Sequence, residues 1–173
     1  MLRRNLKKAV KRLRPNNYLS LNRIELSRSA ALHNVQLIRR QNIGHSIIPV
    51  LKANAYGHGL VQMAEILNGT DCAFLAVDGY FEAAQIRDIT NHPILVMGYI
   101  RPENVKLLDI KRCSFVVQDI ACLEAFGRLN KPVRIHIELN TGMNRLGLQD
   151  KELPDYIRTM KRFPNLRLEG MMS

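Results

Sequence analysis

The chain has 173 residues, of which 46% are apolar, and a formal net charge of +11. That is the length of one domain with enough apolar material for a core, and no apolar run approaches the ~18 residues of a membrane span. The charge is local: Arg3, Arg4, Lys7, Lys8, Lys11, Arg12 and Arg14 carry seven of the eleven net positive charges, and residues 1–14 contain no acid. The body is therefore only mildly basic, which argues against an extended polyanion-binding surface.

Leu2, Leu6, Val10 and Leu13 recur at helical spacing, so the tail can form a short basic amphipathic helix. No apolar stretch of roughly 7 to 15 residues follows it, so it is not a secretory signal. Residues 1–15 are read as a basic N-terminal extension, solvated or docked on a partner, with nucleic-acid or membrane contact by residues 1–14 as the alternative. Tyr18 to Leu26 alternates and predicts a strand. Ser27 suits an N-cap, and the apolar spacing from Ala30 to Ile38 predicts a helix ending near Gln41. Gly44 breaks it. Ile47 to Leu51 is a short apolar run and predicts a buried strand.

The alternation continues to the end. Helices are predicted at 60–67, 81–89, 102–110, 120–129 and 153–163, with Asn68-Gly69 as a stop and Pro102 suited to a first turn. Apolar strands are predicted at 73–77, 93–97, 114–117, 133–139 and 166–173. Helices of about ten residues between strands mean βαβ units and a parallel sheet. No Gly-x-Gly-x-x-Gly opens a helix, so a dinucleotide fold lacks its marker. The fold expected is α/β, an incomplete (β/α)8 TIM-type barrel with about six parallel strands over residues 16–173. A closed barrel needs eight strands and about 250 residues, so the chain reads as the front portion of a larger protein. A complete six-stranded open sheet is the alternative. Cys72, Cys113 and Cys122 are odd in number and without metal-ligand spacing, so no metal site is expected. Free thiols in a reducing cytoplasm account for them.

Two loops stand at C-terminal strand ends, where barrels place their chemistry. Lys52 follows the Ile47–Leu51 run directly. A strand-terminal lysine can simply snorkel to solvent. At an apolar strand mouth it can instead have a lowered pKa and a free amine for Schiff-base chemistry. Tyr56 can be a loop tyrosine covering the sheet end, and Arg145, in the loop after 133–139, a surface cation. His58 and His136 are read as structural, and Met143, Met171 and Met172 as core fillers.

The string Lys52-Ala53-Asn54-Ala55-Tyr56-Gly57-His58-Gly59 resembles the pyridoxal-phosphate (PLP) lysine motif of alanine racemase. Arg134-Ile135-His136-Ile137-Glu138-Leu139-Asn140-Thr141-Gly142-Met143-Asn144-Arg145-Leu146-Gly147 resembles that family's His-x-Lys-x-Asp-Thr-Gly-Met-x-Arg-x-Gly segment. Glu169-Gly170-Met171-Met172-Ser173 resembles its next strand. The resemblance implies that Lys52 holds PLP as a Schiff base and exchanges the α-proton on one substrate face. It implies that Tyr56 donates to the cofactor phosphate, that Val50 is a wall residue, and that Arg145 faces the cofactor's phenolic oxygen and the substrate carboxylate. Glu138 stands where the family usually has a carbamylated lysine, and is expected to supply the anion that orients Arg145. Asn140 replaces the usual aspartate, and Asn144 a residue that is often glycine.

The resemblance further implies a cytoplasmic, homodimeric enzyme that interconverts L- and D-alanine for cell-wall supply when full length. The opposite-face tyrosine, the arginine at the pyridine nitrogen and most phosphate ligands match no residue here, so residues 1–173 alone are expected to be inactive. Alternatives are a broad-specificity amino-acid racemase, a non-catalytic PLP- or partner-binding remnant, and a basic-tail adaptor.

Overall fold

The computed structural model describes residues 21–173. The predicted tail helix, and the part of the predicted 18–26 strand before residue 21, lie outside the described residues. Over residues 21–26 no strand forms. Leu21 is 97% exposed and Ile24 69% exposed, and no neighbouring strand pairs with them among the described residues. Alternation without a partner strand does not make a strand.

Five strands form one sheet: β1 Leu75–Val77, β2 Ile94–Val96, β3 Cys113–Val117, β4 Val133–Glu138 and β5 Leu166–Met172. All four neighbouring pairs are parallel, and the spatial order is the sequence order. A doubly wound sheet reverses direction at a switch point. A steady march of βα units in one direction is the geometry of a barrel wall. The predicted sixth strand, 47–51, pairs with β1 in the same sense through bridges at Ile47–Cys72 and Val50–Ala76. Its hydrogen bonds include Leu51 N–H to Ala76 O at 2.7 Å and Ala76 N–H to Pro49 O at 2.8 Å.

The helices are α1 Arg28–Gln41, α2 Leu60–Leu67, α3 Tyr80–Ile86, α4 Ile120–Gly127 and α5 Leu153–Met160. Ser27 caps α1 by accepting from Ala30 N–H at 3.2 Å, and Asp119 caps α4 by accepting from Cys122 N–H at 2.7 Å. The helix predicted at 102–110 is a 3-10 turn, Pro102–Leu107. Only Val105 of that segment is buried, and Leu107 is 72% exposed, so there is no apolar stripe to hold a longer helix. The helix predicted at 81–89 begins one residue earlier and ends at Ile86.

One face of the sheet carries Leu75, Val77, Ile94, Val96, Phe115, Val117, Ile135 and Ile137, all fully buried under the helices. Phe115 and Phe126 of α4 meet there with ring centroids 4.9 Å apart. Tyr156 of α5 is fully buried and donates to Val117 O at 3.3 Å. Cys113 and Cys122 are buried free thiols, and burial pushes them up to about 11 and about 12. The opposite face has a smaller apolar cluster of Ala76, Leu95 and Val116, against which Phe74, Met97 and Met172 rest. Met143 and Met171 are not core fillers, being 75% and 64% exposed. Met143 sits in a loop, and Met171 on the outer face of β5, where no helix covers it among the described residues.

Candidate active site at the C-terminal rim of the sheet

The smaller-cluster face leads up to a cleft that Met97 and Met172 also line, and its residues alternate along each strand. Val50 pairs with Ala76, so Val50 shares that face, and Lys52 follows it two residues on. Lys52 is half-buried. It opens a short turn, Lys52–Tyr56, that is helical in hydrogen bonding but left-handed: Ala53, Asn54, Ala55 and Tyr56 have φ of 53°, 56°, 52° and 53°. Left-handed backbone costs a non-glycine residue roughly 1–2 kcal/mol, so four in succession persist only because their surroundings fix them. Ala55 is buried, and its N–H donates to Leu51 O at 2.8 Å. Asn54 Oδ1 accepts from Leu60 N–H at 2.9 Å, and Asn54 O accepts from Gly59 N–H at 2.9 Å. His58 Nδ1 lies 2.8 Å from Ala55 O, a structural contact. The turn places Tyr56, 62% exposed, beside the same cleft as Lys52.

Arg145 comes from the loop after β4. Asn140 builds this loop: its Oδ1 accepts from Gly142 N–H and Asn144 N–H, each at 3.1 Å, while its Nδ2 donates to Asn144 Oδ1 at 3.0 Å. An asparagine oxygen does this as well as a carboxylate, so the Asn140 departure leaves the loop intact. Asn144 has φ 54°, the left-handed region that favours glycine and, after it, asparagine. The loop then returns to its own strand, with Leu148 N–H donating to Glu138 O at 2.9 Å and Asn140 N–H to Leu148 O at 2.9 Å. Gly147, at φ 99°, closes it. A Cβ there would stand 2.9 Å from Asn140 N and 3.2 Å from Glu138 Cγ. Glu138 is thereby buried with its side chain wedged beneath the returning loop.

Val50, Lys52, Tyr56, Glu138 and Arg145, all singled out from sequence, line one cleft of about 470 Å³. Among the described residues no ion pair joins Glu138 to Arg145. The cleft walls also include Asp78, Met97, Gly98, Tyr99 and Met172, which sequence reasoning missed. The signal was present for Met97 and Met172: the first ends a predicted strand and the second is the last residue but one of another, both on the face that Val50 and Lys52 share. Gly98 lets β2 close on β1, since a Cβ would stand 2.6 Å from Asp78 O.

Below the cleft, the same face is polar. His136 rests on Gly170, where a Cβ would stand 2.9 Å from Nδ1. The register shifts between Ile135 and His136, so that Leu168 and Gly170 face them and Glu169 is the extra residue of a bulge. Glu169 accepts from Ser114 Oγ at 2.6 Å and lies 3.7 Å from His136 Nε2 and 3.8 Å from Arg134 Nε. His136 thus has a carboxylate neighbour, supplied by the next strand. Burial lowers the His136 pKa from its ordinary value near 6.5, an effect Glu169 partly offsets. The 3.7 Å separation is too long for a hydrogen bond.

The size of the cleft suits a small cofactor. Apolar walls from Val50, Met97 and Met172, a half-buried amine, a tyrosine hydroxyl and a guanidinium form a donor set that fits a flat, phosphorylated aldehyde.

Comparison with known proteins agrees. Residues 26–173 match the family model described as alanine racemase, N-terminal domain. An alanine racemase of Vesicomyosocius okutanii subsp. Calyptogena okutanii (strain HA) is 33% identical over 151 residues, covering 87% of this chain and 42% of that protein. An amino-acid racemase of Enterococcus faecalis is 36% identical over 156 residues, covering 86% of this chain and 21% of that protein. The crystal structure of the biosynthetic alanine racemase from Pseudomonas aeruginosa superposes with a TM-score of 0.74 at 30% identity, covering 83% of this chain and 41% of that one. The chain thus spans about two fifths of the length of the alanine racemases it matches. With the Lys52–Gly59 string and the arginine loop converging on one cleft, this chain belongs to the alanine racemase family, of which it carries the N-terminal domain.

Proposed function

We propose that residues 16–173 form the PLP-binding barrel part of an amino-acid racemase acting on alanine, within a cytoplasmic homodimer when full length. The observation that carries this reading is the convergence of Lys52, Tyr56 and Arg145, from two separate loops, on one cleft. Lys52 Nζ would be the attachment point for PLP, and its amine would hold and return the α-proton on one face of the substrate. PLP, when bound, supplies the electron sink that makes an α-proton acidic. Tyr56 Oη would donate to the phosphate. The Arg145 guanidinium, always charged and planar, would serve the cofactor's phenolic oxygen and the substrate carboxylate. Val50 is the wall that keeps the ring in place.

Glu138 is the fixed anion of the site. Gly147 and the returning loop hold its carboxylate near the arginine loop, which supports its role in orienting Arg145 once ligand is bound. A PLP-bound crystal structure with the two groups more than ~5 Å apart and no bridging water overturns that role.

Substrate breadth is the second reading. The amino-acid racemase from Enterococcus faecalis is as similar to this chain as the alanine racemases are, so side chains larger than methyl come into question.

Racemisation needs acid/base groups on both substrate faces, and groups acting as a unit are strongly non-additive. The 173-residue chain alone is therefore expected to bind PLP and not to turn over. Adding PLP should produce a visible absorption band that Lys52→Ala abolishes. L-alanine and D-alanine incubated with the loaded protein should keep their circular dichroism. No band contradicts the site, and sustained loss of optical activity contradicts the division of the active site.

A further inference from the structure

We propose that Glu82 is a positioning residue: its carboxylate ties the left-handed Lys52 turn to the start of α3, holding Lys52 and Tyr56 toward one cleft. This rests on the reading of that cleft as a PLP site. Glu82 is half-buried, and no Lys or Arg pairs with it among the described residues. Its partners are backbone amides. Oε2 accepts from Asp78 N–H at 2.9 Å and from Gly79 N–H at 3.4 Å, while Oε1 accepts from Asn54 N–H at 3.4 Å.

Half of this is an ordinary helix start, in which a glutamate reaches back to the first amides. Gly79 has no side chain with which to reciprocate. The other half is not ordinary. Asn54 lies among four consecutive left-handed residues, none of them glycine. The other hydrogen bonds of residues 53–58 stay within 51–60, so among the described residues Glu82 makes the one hydrogen bond that ties this turn to another βα unit, beside the apolar packing of Ala55 in the core. That unit is the one carrying Asp78, itself on the cleft wall. One carboxylate therefore bridges two cleft-lining segments. A charged acceptor suits this because it strengthens each amide bond and faces three donors.

The two oxygens make the proposal separable. In Glu82→Gln the carbonyl oxygen can serve Asp78 and Gly79, which leaves the amide nitrogen against Asn54 N–H, donor facing donor. Glu82→Gln should melt within about 3 °C of the parent. Hydrogen exchange at residues 54–60 should nevertheless quicken by about tenfold while β3 amides stay as they are. Borohydride trapping of PLP on Lys52 at limiting PLP should fall in step. Glu82→Ala should do the same and also lower the melting temperature.

A Glu82→Gln protein with parental exchange and parental trapping overturns the proposal, as does acceleration spread evenly over the sheet. If the parent itself traps no PLP on Lys52, the PLP reading fails. Exchange at 54–60 alone then decides the Glu82 tie: quickened supports it, unchanged overturns it.

Discussion

The two faces of the sheet are built from the same strands, and they differ in almost every respect. Outward, Leu75, Ile94, Phe115, Ile135 and their neighbours are fully buried against α2 to α5. Inward, apolar burial shrinks to Ala76, Leu95 and Val116, and the remaining positions include Ser114, Gln118, Arg134, His136 and Glu138. The outward face follows the rule for strands covered by crossover helices, continuous apolar packing. The inward face carries groups that are costly to bury unpaired, and pairs only some of them: Ser114 bonds Glu169 and Gln118 Nε2 bonds Met97 O at 2.9 Å, while Gln118 Oε1 and His136 Nε2 have no hydrogen-bond partner among the described residues. Apolar burial is concentrated on one face and the candidate site on the other, so substitutions on the two faces should fail in different ways.

The largest effect belongs to the outward face. Phe115→Ala removes a fully buried ring from its contact with Phe126 and should cost about 3–5 kcal/mol in urea unfolding. A loss below about 1 kcal/mol would mean that the helical layer does not hold the sheet.

His136 sharpens the contrast from the inward face, with a smaller effect. Its folded pKa lies below its ordinary value because burial disfavours the charged ring. The unfolded chain therefore binds the extra proton first. The stability this contributes is fully present above about pH 6.5 and is lost as pH falls through the folded value, with a slope of at most ~1.4 kcal/mol per pH unit. The slope should flatten in His136→Gln. A slope of opposite sign would mean that Glu169 outweighs burial at this site.

Much of this was legible beforehand because the outward face writes itself as apolar runs. The strands at 73–77, 93–97, 114–117, 133–139 and 166–173 appear within a residue or two of their reading, and α2 runs from Leu60 to Leu67 as read. Lys52, Tyr56, Glu138 and Arg145 were legible as letters in two strings, with Val50 just before the first, and the fold brings them to one rim. What was illegible depends on contacts distant in sequence. Nothing in Ala53-Asn54-Ala55-Tyr56 announces left-handed backbone, because the glycines that usually mark it come only at Gly57 and Gly59. The Glu169 bulge is a mismatch between two strands, which neither strand's sequence states alone. The alternation of Tyr18 to Leu26 misled because a strand also needs a neighbour.

Lys52 gives the smallest stability effect and the clearest functional one. It is half-buried at the cleft rim and among the described residues makes no ion pair, so Lys52→Ala should change unfolding by no more than about 0.5 kcal/mol. The most direct test of the account is to load the protein with PLP, reduce it with borohydride and map the modified peptides. The account predicts a pyridoxyl group on Lys52 at close to one per chain, with other lysines labelled only at large excess. Labelling spread evenly over the surface lysines, with Lys52 no better than the rest, would contradict it.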